Sequence, residues 1–387
     1  MGPLFVISAG WSFVVASTTL WAMGRSLRFR SAGRSRSGGA HTSSAVMVRP
    51  CTGQDAHLSP ALASTVLALR SFPMKVRVAI ASTSDAAFAI AESATRTLVS
   101  EGMDARVVVT AAQGPNRKAD QIARVLANED ERSEIVIIAD SDVDFTGFSL
   151  DEFLVPLADR HVAAIWSPPI EPNSSTIGDR ASAAVLDSSL HSFALLAGLD
   201  ARGLVGKLVA VRSDALEGIG GFASLVAHVG EDMELARRLH AAGYLTKMSP
   251  LVVTSIAEGR TWSAVVERYA RWLAVIRAQR PILLPSYPLL FFATPLLILF
   301  SALATLLEGG DAWMAGAVAI MARLAIAVTA RLRCGRPLRV LRLPVDIVLA
   351  DLLLIFAFVR VVRSRTTTWR GVALHLDDGG TFSEELP

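Results

Sequence analysis

Cysteine is nearly absent from this chain, with two residues, Cys51 and Cys334, among 387. So few cysteines predict neither a disulfide framework nor a cysteine-based metal site. Charge is also sparse, because 19% of the residues are charged and 52% are hydrophobic, with a mean hydropathy of +0.43. This composition excludes an ordinary soluble protein and indicates a chain that is partly embedded in a membrane.

Positive charge is missing before the first apolar run, residues 3–23, and arginines follow it instead. A cleaved signal peptide carries its positive charge before the apolar run, so residues 1–24 are predicted to form a transmembrane anchor. The arginines place the N-terminus outside and the following residues in the cytoplasm. Residues 25–48, rich in Ser, Gly and Arg, are predicted to form a flexible basic linker.

A second apolar region, residues 281–365, divides at an acidic stretch, 308–312, and at a basic stretch, 331–342. Its first two segments, 284–307 and 313–330, are predicted to cross the membrane and to join at an outer turn. The net charge is only +3, and the arginines lie beside apolar segments. The lipid bilayer is therefore the expected partner, and nucleic acid is not.

The third apolar segment, residues 343–362, contains Asp346 and Asp351 and is followed by arginines. A full crossing would leave those arginines outside and place two carboxylates within the bilayer, both of which are unfavourable. The segment is therefore predicted to be interfacial or re-entrant, with residues 366–387 as a cytosolic tail. Together these assignments predict a multi-pass protein of the cell membrane whose central domain faces the cytoplasm.

Residues 49–280 have the mixed composition of a globular domain. Between residues 76 and 166, β-branched runs alternate with helical patterns, which predicts an α/β fold with a parallel sheet. The run EIVIIA, residues 134–139, is apolar on both faces and is expected at the centre of the sheet. Ligands of such sheets bind outside the carboxyl ends of the strands, where this run ends.

Three acidic residues, Asp140, Asp142 and Asp144, follow this strand directly. Carboxylates so close together repel one another unless a cation or solvent relieves them. Asp140 and Asp142 are candidate ligands of a divalent cation, Mg²⁺ or Mn²⁺, that would also bind a nucleotide diphosphate. An acidic turn without any ligand is the alternative.

A second acidic pair, Glu231 and Asp232, lies near the predicted start of a helix. The helix dipole favours acids in a first turn, which would account for the pair without any catalytic role. The functional interpretation makes Asp232 a general base that Glu231 orients or tunes.

Three further residues are candidates, each with a structural alternative. Asp85 follows the strand-like run VRVAIAS, and it either contacts a ligand or caps the next helix. Lys118 precedes a helical pattern, where it either contacts a donor phosphate or lies on a solvated helix N-terminus. His191 is either a polar active-site residue or a structural histidine.

The segment RYARW places Arg268 and Arg271 one turn apart on a predicted helix, with Trp272 beside them. The two guanidinium groups either form an anion site or meet lipid phosphates at the bilayer surface. Both interpretations can hold together, because the helix leads directly into the second apolar region.

The acid after the first strand, the DSD triplet, the ED pair and the RxxRW segment, taken in order, resemble the ceramide glucosyltransferase family. That family includes bacterial hopanoid-associated glycosyltransferases. The resemblance covers about residues 48–285 and continues weakly to WRG at residues 369–371. It implies a GT-A-like domain that moves a hexose, most simply glucose, from a UDP-sugar to the hydroxyl of a membrane lipid such as ceramide, with inversion.

The same resemblance implies a role for individual residues. Asp85 would contact the uridine, Asp140 and Asp142 would handle the diphosphate and the metal, and Asp232 would deprotonate the acceptor hydroxyl. The positions implied to stabilise the diphosphate and to shape the acceptor entrance are Arg268, Arg271 and Trp272.

Three alternatives stay open at this point. The acceptor is a hopanoid or another bacterial lipid, or the chain is a processive polysaccharide synthase, which would normally need more transmembrane helices. The third alternative is a catalytically inactive membrane scaffold that retains the fold.

Overall fold

The computed structural model describes residues 2–33, 44–53, 56–363, 366–369, 372–376 and 381–383. The α-helices within these residues are, in chain order, α1 Pro3–Gly33, α2 Leu58–Ala63, α3 Ala87–Ser100, α4 Arg117–Ala127, α5 Leu150–Leu154, α6 Ile177–Ser188, α7 Phe193–Leu199, α8 Ser213–Gly218, α9 Glu231–Ala241, α10 Trp262–Gln279, α11 Ala293–Glu308, α12 Trp313–Arg333 and α13 Leu343–Arg363.

The strands of the described residues are β1 Ala45–Cys51, β2 Met74–Ile80, β3 Asp104–Val109, β4 Ile135–Ala139, β5 Val143–Asp144, β6 Val162–Trp166, β7 Pro169–Ile170, β8 Leu208–Arg212, β9 Leu245–Met248, β10 Val253–Ser255, β11 Thr366–Trp369, β12 Val372–Leu376 and β13 Phe382–Ser383. Helix α1 and strand β1 both extend into the range 25–48, which was predicted to be a linker, and residues 34–43 of that range lie outside the described residues.

The chain folds into two compact units, each of which is discontinuous in sequence. The sheet unit comprises Phe29–Pro172 and Ala201–Ala257, and the helical unit comprises Met1–Arg28, Asn173–Asp200 and Glu258–Pro387. The range 49–280, predicted as one linear domain, therefore contributes to both units.

The sheet unit is built on a seven-stranded sheet in the order β3-β2-β1-β4-β8-β6-β9. Strands β3, β2, β1 and β4 are parallel, whereas β8 runs antiparallel to both β4 and β6. The α/β fold is confirmed, but the sheet is mixed where the sequence predicted a parallel one. The apolar run LVAV, residues 208–211, indicates the strand β8, but such a pattern does not indicate the direction of a strand within its sheet.

Strand β4 lies between β1 and β8, at the predicted central position. All of its residues are buried, and Ile137 is paired with Met47 on one side and Ala210 on the other. Branched apolar side chains pack well on both faces of such a strand. The carboxyl end of β4 is therefore held rigidly at the point where the acidic triplet begins.

The helical unit contains the long apolar helices. The segments that are long and apolar enough to cross a membrane are Pro3–Leu27, Ile177–Leu199, Trp313–Arg333 and the pair Pro281–Phe291 with Ala293–Glu308, which is bent by 57°. The N-terminal helix and both segments of the predicted hairpin are among them. The segment Ile177–Leu199 was not predicted, and most of it is buried within the protein.

Helix α1 begins beside the end of α11. The Glu308 carboxylate accepts hydrogen bonds from the backbone N–H groups of Leu4, at 2.9 Å, and Phe5, at 3.0 Å. A carboxylate in this position satisfies donors that have no partner within the helix and also favours the helix dipole. The start of α1 and the end of α11 therefore lie at the same end of the helical unit.

Helix α13 is continuous over 21 residues, and the two aspartates on it are paired. Asp351 binds Arg323 of α12 at 2.8 Å, and Asp346 binds Arg331 at 2.6 Å. Arg323 also donates to the Ser188 carbonyl at 2.6 Å. These pairs neutralise the charges that made a membrane location costly. The interfacial or re-entrant location of this segment stays a prediction.

Candidate active site

Two lysines bind the carboxylates that follow β4. The Lys207 ammonium lies 2.7 and 2.5 Å from the two carboxylate oxygens of Asp142 and 3.3 Å from Asp140 Oδ2. Lys118 Nζ lies 2.7 Å from Asp140 Oδ1. The Ser255 hydroxyl donates to Asp142 Oδ2 at 2.8 Å. Asp140 and Asp142 therefore belong to an organised ion cluster rather than to a solvated turn.

Lys118, on the first turn of α4, connects this cluster to the second acidic pair. Its ammonium lies 3.1 Å from Glu231 Oε1 and donates to the Gly206 carbonyl at 3.0 Å. Burial by itself lowers the pKa of Lys118, but the carboxylates of Asp140 and Glu231 outweigh burial and raise the pKa above its usual value. Lys118 is therefore a permanent cation.

Asp232 lies on the first turn of α9, where backbone donors hold its carboxylate. Oδ2 accepts from the Gly206 N–H at 2.9 Å, and Oδ1 accepts from the Met233 N–H at 2.8 Å. Burial and, after it, the charge of Glu231 raise the pKa of Asp232 to about 6. A carboxylate whose pKa is raised toward neutral pH is suited to accept a proton. The favourable position at the helix start and a role as base are thus compatible.

Gly206 permits the close approach of these groups. A Cβ atom at this position would lie 3.2 Å from both the Asp232 Cβ and the Lys118 Nζ. Its N–H and carbonyl are the groups that bind Asp232 and Lys118. The absence of a side chain at this position thus lets the backbone approach both groups.

Asn116 connects α4 to the start of α9. Its side chain accepts from the Ala119 N–H at 3.0 Å, which caps α4, and donates to Glu231 Oε2 at 2.9 Å. Asn116 therefore orients Glu231, which in turn binds Lys118.

Arg49, which sequence reasoning missed, lies beneath the acidic triplet. It is fully buried on β1 and donates to the carbonyls of Asp140 at 3.1 Å and Val143 at 2.6 Å. It also donates to the Ala61 carbonyl and to the Thr65 hydroxyl, each at 2.7 Å. Burial lowers the pKa of Arg49 to about 10, so it stays charged at neutral pH. The one available signal was an arginine within the apolar run AVMVRPC.

Asp85 is engaged with the loop that follows β1. Its carboxylate accepts from the Thr52 hydroxyl at 2.6 Å, the Gly53 N–H at 2.7 Å and the Ala87 N–H at 2.9 Å. Asp85 therefore stabilises the start of α3 and also fixes this loop. Its predicted contact with uridine stays a prediction.

The remaining candidates lie in the helical unit, on or near α10. His191 is buried, stacks on Trp272 with 6.0 Å between ring centroids, and places Nε2 3.0 Å from the Tyr287 hydroxyl. The Arg268 guanidinium lies 5.0 Å from the Trp272 ring centroid, in a cation–π arrangement. Arg271 lies on the same helix. His191, Trp272, Tyr287 and Arg268 form an aromatic and basic cluster.

The structure thus brings five of the predicted residues together within the sheet unit. They are Lys118, Asp140, Asp142, Glu231 and Asp232, and Lys207 joins them although it was not predicted.

The donor set at the triplet fits a divalent cation that shares its ligands with a phosphate. Within the described part of the chain, no group of three or more His, Cys, Asp or Glu side chains is placed to hold a metal ion. Two carboxylates, those of Asp140 and Asp142, are nevertheless what Mg²⁺ commonly takes from a protein when phosphate oxygens complete its shell. The cluster has four carboxylates against two ammonium groups, so two negative charges are available for such a cation.

Comparison with known proteins gives a family and a fold. The sequence model of glycosyl transferase family 21 matches residues 5–382. No curated protein matches the chain. Among solved structures, the mannosyltransferase PcManGT from Pyrobaculum calidifontis, in complex with GDP-Man and Mn²⁺, is 18% identical with a TM-score of 0.54, over 93% of this chain and 99% of that one.

Two more distant similarities are with TarS of S. aureus and with glucosyl-3-phosphoglycerate synthase of Mycobacterium tuberculosis. TarS is 10% identical with a TM-score of 0.36, over 74% of this chain and 55% of that one. The synthase is 16% identical with a TM-score of 0.33, over 61% of this chain and 80% of that one. Of the three structures, the mannosyltransferase is the one whose similarity indicates the fold, which is GT-A-like.

Proposed function

We propose that this chain moves a hexose from a UDP-sugar to the hydroxyl of a membrane lipid. The premise is that the chain belongs to glycosyl transferase family 21, the ceramide glucosyltransferase family that its motifs resemble. Glucose and ceramide are the first candidates, with a hopanoid or another bacterial lipid as the alternative acceptor. The observation that carries this proposal is the ion cluster at the end of β4, where Asp140 and Asp142 share two lysines with the Glu231 and Asp232 pair.

Four residues of the cluster have a direct role in an inverting transfer. The acceptor oxygen forms a bond to the anomeric carbon as the bond from that carbon to the diphosphate breaks, and Asp232 accepts the hydroxyl proton. Lys118 stays charged and favours the negative charge that develops on the departing diphosphate. Asp140 and Asp142 would hold a divalent cation, which when bound neutralises part of the same charge.

The remaining assignments are extensions of the family resemblance. Asp85 is proposed to contact the uridine, and its fixed position beside the loop after β1 supports this role. Diphosphate stabilisation and shaping of the acceptor entrance stay predictions for Arg268, Arg271 and Trp272. A catalytic part for His191 also stays a prediction.

Membranes that contain the protein would test the proposal directly. They would be incubated with labelled UDP-glucose, UDP-N-acetylglucosamine or UDP-galactose and with ceramide, hopanoid, sterol or diacylglycerol, with and without Mn²⁺ or Mg²⁺. We expect one sugar and one lipid class to give a labelled glycolipid whose formation requires the cation. Absence of label from every lipid, with the protein folded and membrane-bound, would reject the proposal.

The same proposal places the sheet unit in the cytoplasm, where UDP-sugars are made. The contact of Glu308 with the start of α1 supports a common, outer location for that end of the helical unit. We expect a tag after residue 387 to resist protease in sealed cells and to be cleaved once the membrane is opened. Cleavage in sealed cells would mean that the segment 343–362 crosses the membrane.

A pH-dependent loss of activity follows from the raised pKa of Asp232. The base must be deprotonated, so the rate is expected to fall as the pH drops through about 6. Glu231→Gln removes the like charge that, after burial, raises this pKa, and it should move the acid limb of kcat/KM to lower pH. Rates across the pH range, each normalised to its plateau, check the shift. Glu152→Gln, at an exposed position of α5, is the matched control and should leave the limb in place.

A further inference from the structure

Lys207 occupies the position that a cation ligated by the acidic triplet would need. Its side chain is 13% exposed, and its ammonium contacts both carboxylate oxygens of Asp142 and one of Asp140. A divalent cation would use the same carboxylate oxygens. Because the Lys207 ammonium lies against these oxygens and repels a second cation, the two compete for them.

The backbone of Lys207 is fixed, so only its side chain can move. Its carbonyl accepts from the Asp140 N–H at 2.9 Å, which continues the pairing of β4 with β8. The preceding residue, Gly206, is held by Asp232 and Lys118, and the next, Leu208, begins the buried strand β8. A lysine has a flexible four-carbon stem that allows its ammonium to leave one anion for another while its Cα stays in place.

We propose that Lys207 is a built-in counter-ion of the acidic triplet that excludes the divalent cation until a nucleotide diphosphate arrives. Without the donor, the positive charge of Lys207 offsets the repulsion between the Asp140 and Asp142 carboxylates. When the diphosphate enters, the cation takes the carboxylates and the ammonium turns to the phosphate oxygens. Cation and diphosphate therefore bind cooperatively, and each is weak alone.

This inference rests on the proposed function for the identity of the diphosphate, but it concerns binding rather than transfer. A cation that bound without the diphosphate would occupy Asp140 and Asp142 in the absence of substrate. A cation that needs the diphosphate binds only together with the donor. Lys207 is thus a positioning residue that controls when the cation binds. Its ammonium contacts the diphosphate only after it has left the carboxylates.

The test measures Mn²⁺ binding to the full-length protein in nanodiscs by electron paramagnetic resonance, without nucleotide, with UDP and with GDP. For the natural protein we expect UDP to tighten Mn²⁺ binding about tenfold or more, which corresponds to about 1.4 kcal/mol of coupling. Lys207→Met should bind Mn²⁺ about tenfold more tightly without nucleotide and should gain less from UDP than the natural protein does.

Three controls make the outcome decisive. Lys207→Gln also removes the charge and gives the same test if the Met variant fails to fold. Lys207→Arg keeps a cation at the carboxylates and should bind Mn²⁺ weakly without nucleotide. Lys75→Met removes a lysine bound to the exposed Glu131 and should behave as the natural protein.

Unchanged or weaker Mn²⁺ binding by both Lys207→Met and Lys207→Gln would overturn the proposal, because the lysine would then be only a structural ion-pair partner. Coupling of Mn²⁺ to GDP but not to UDP would support the counter-ion and contradict the UDP-sugar donor. Coupling to UDP without glycolipid synthesis would support the counter-ion and contradict the lipid acceptor. The two proposals can therefore fail separately.

Discussion

Asp232→Asn is expected to abolish sugar transfer, with kcat at least about a hundredfold lower, while UDP binding is retained. The amide cannot accept the hydroxyl proton, but its oxygen can still accept the Gly206 N–H that now binds Asp232. Initial rates with the lipid acceptor, together with UDP affinity from calorimetry, measure the two effects separately.

The matched control is Asp214→Asn. Asp214 is also an acid in a first helical turn, on α8, and its carboxylate binds Arg212 at the protein surface. Loss of transfer in Asp232→Asn with normal rates in Asp214→Asn would show that Asp232 acts as a proton acceptor. Its role would then not be limited to a favourable interaction with the helix dipole. Loss of UDP binding in Asp232→Asn would mean that Asp232 is not simply the base.

Arg49→Met is expected to remove both activity and a large part of the stability of the sheet unit. The substitution removes the guanidinium donor of the Ala61, Asp140 and Val143 carbonyls, although Asp140 keeps the Val143 N–H. Each such loss costs about 1–3 kcal/mol, so the free energy of unfolding should fall by several kcal/mol. Because the backbone of the triplet loses its support, Mn²⁺ binding in the presence of UDP should weaken as well. Chemical denaturation and Mn²⁺ titration measure the two effects.

Two further variants identify the cause. Arg49→Lys keeps the charge but cannot place two guanidinium nitrogens, so it should recover only part of the stability. Arg106→Met removes an arginine of the same sheet whose side chain is 47% exposed and bound to Glu129, and its effect should be small. Full activity and stability in Arg49→Met would show that the triplet does not depend on this residue.

The sequence was sufficient for the features that have a local pattern. The run EIVIIA predicted a buried central strand, and its end predicted where Asp140 and Asp142 would lie, because both conclusions depend on neighbouring residues alone. The strand is central in the structure, and the two aspartates follow it in an ion cluster with Lys118 and Glu231.

The missed residues are those whose partners are distant in the chain. Arg49 contacts the Asp140 carbonyl across 91 positions, and Lys207 contacts Asp142 across 65. When a single basic residue lies within or before an apolar run, the neighbouring residues do not indicate which carboxylate or carbonyl it will bind. The antiparallel direction of β8 was missed for the same reason, since strand pairing is decided by tertiary contacts.

The pairing of Arg323 with Asp351 has a consequence for how the chain is made. The arginine of α12 leaves the ribosome 28 positions ahead of the carboxylate that neutralises it. An unpaired arginine at the centre of a membrane helix costs roughly 2.5–3.5 kcal/mol during insertion. We therefore expect α12 to be held less stably in the membrane until α13 has been synthesised. A chain that stops after α12 would still contain every candidate catalytic residue, but its Arg323 would lack the carboxylate that neutralises it.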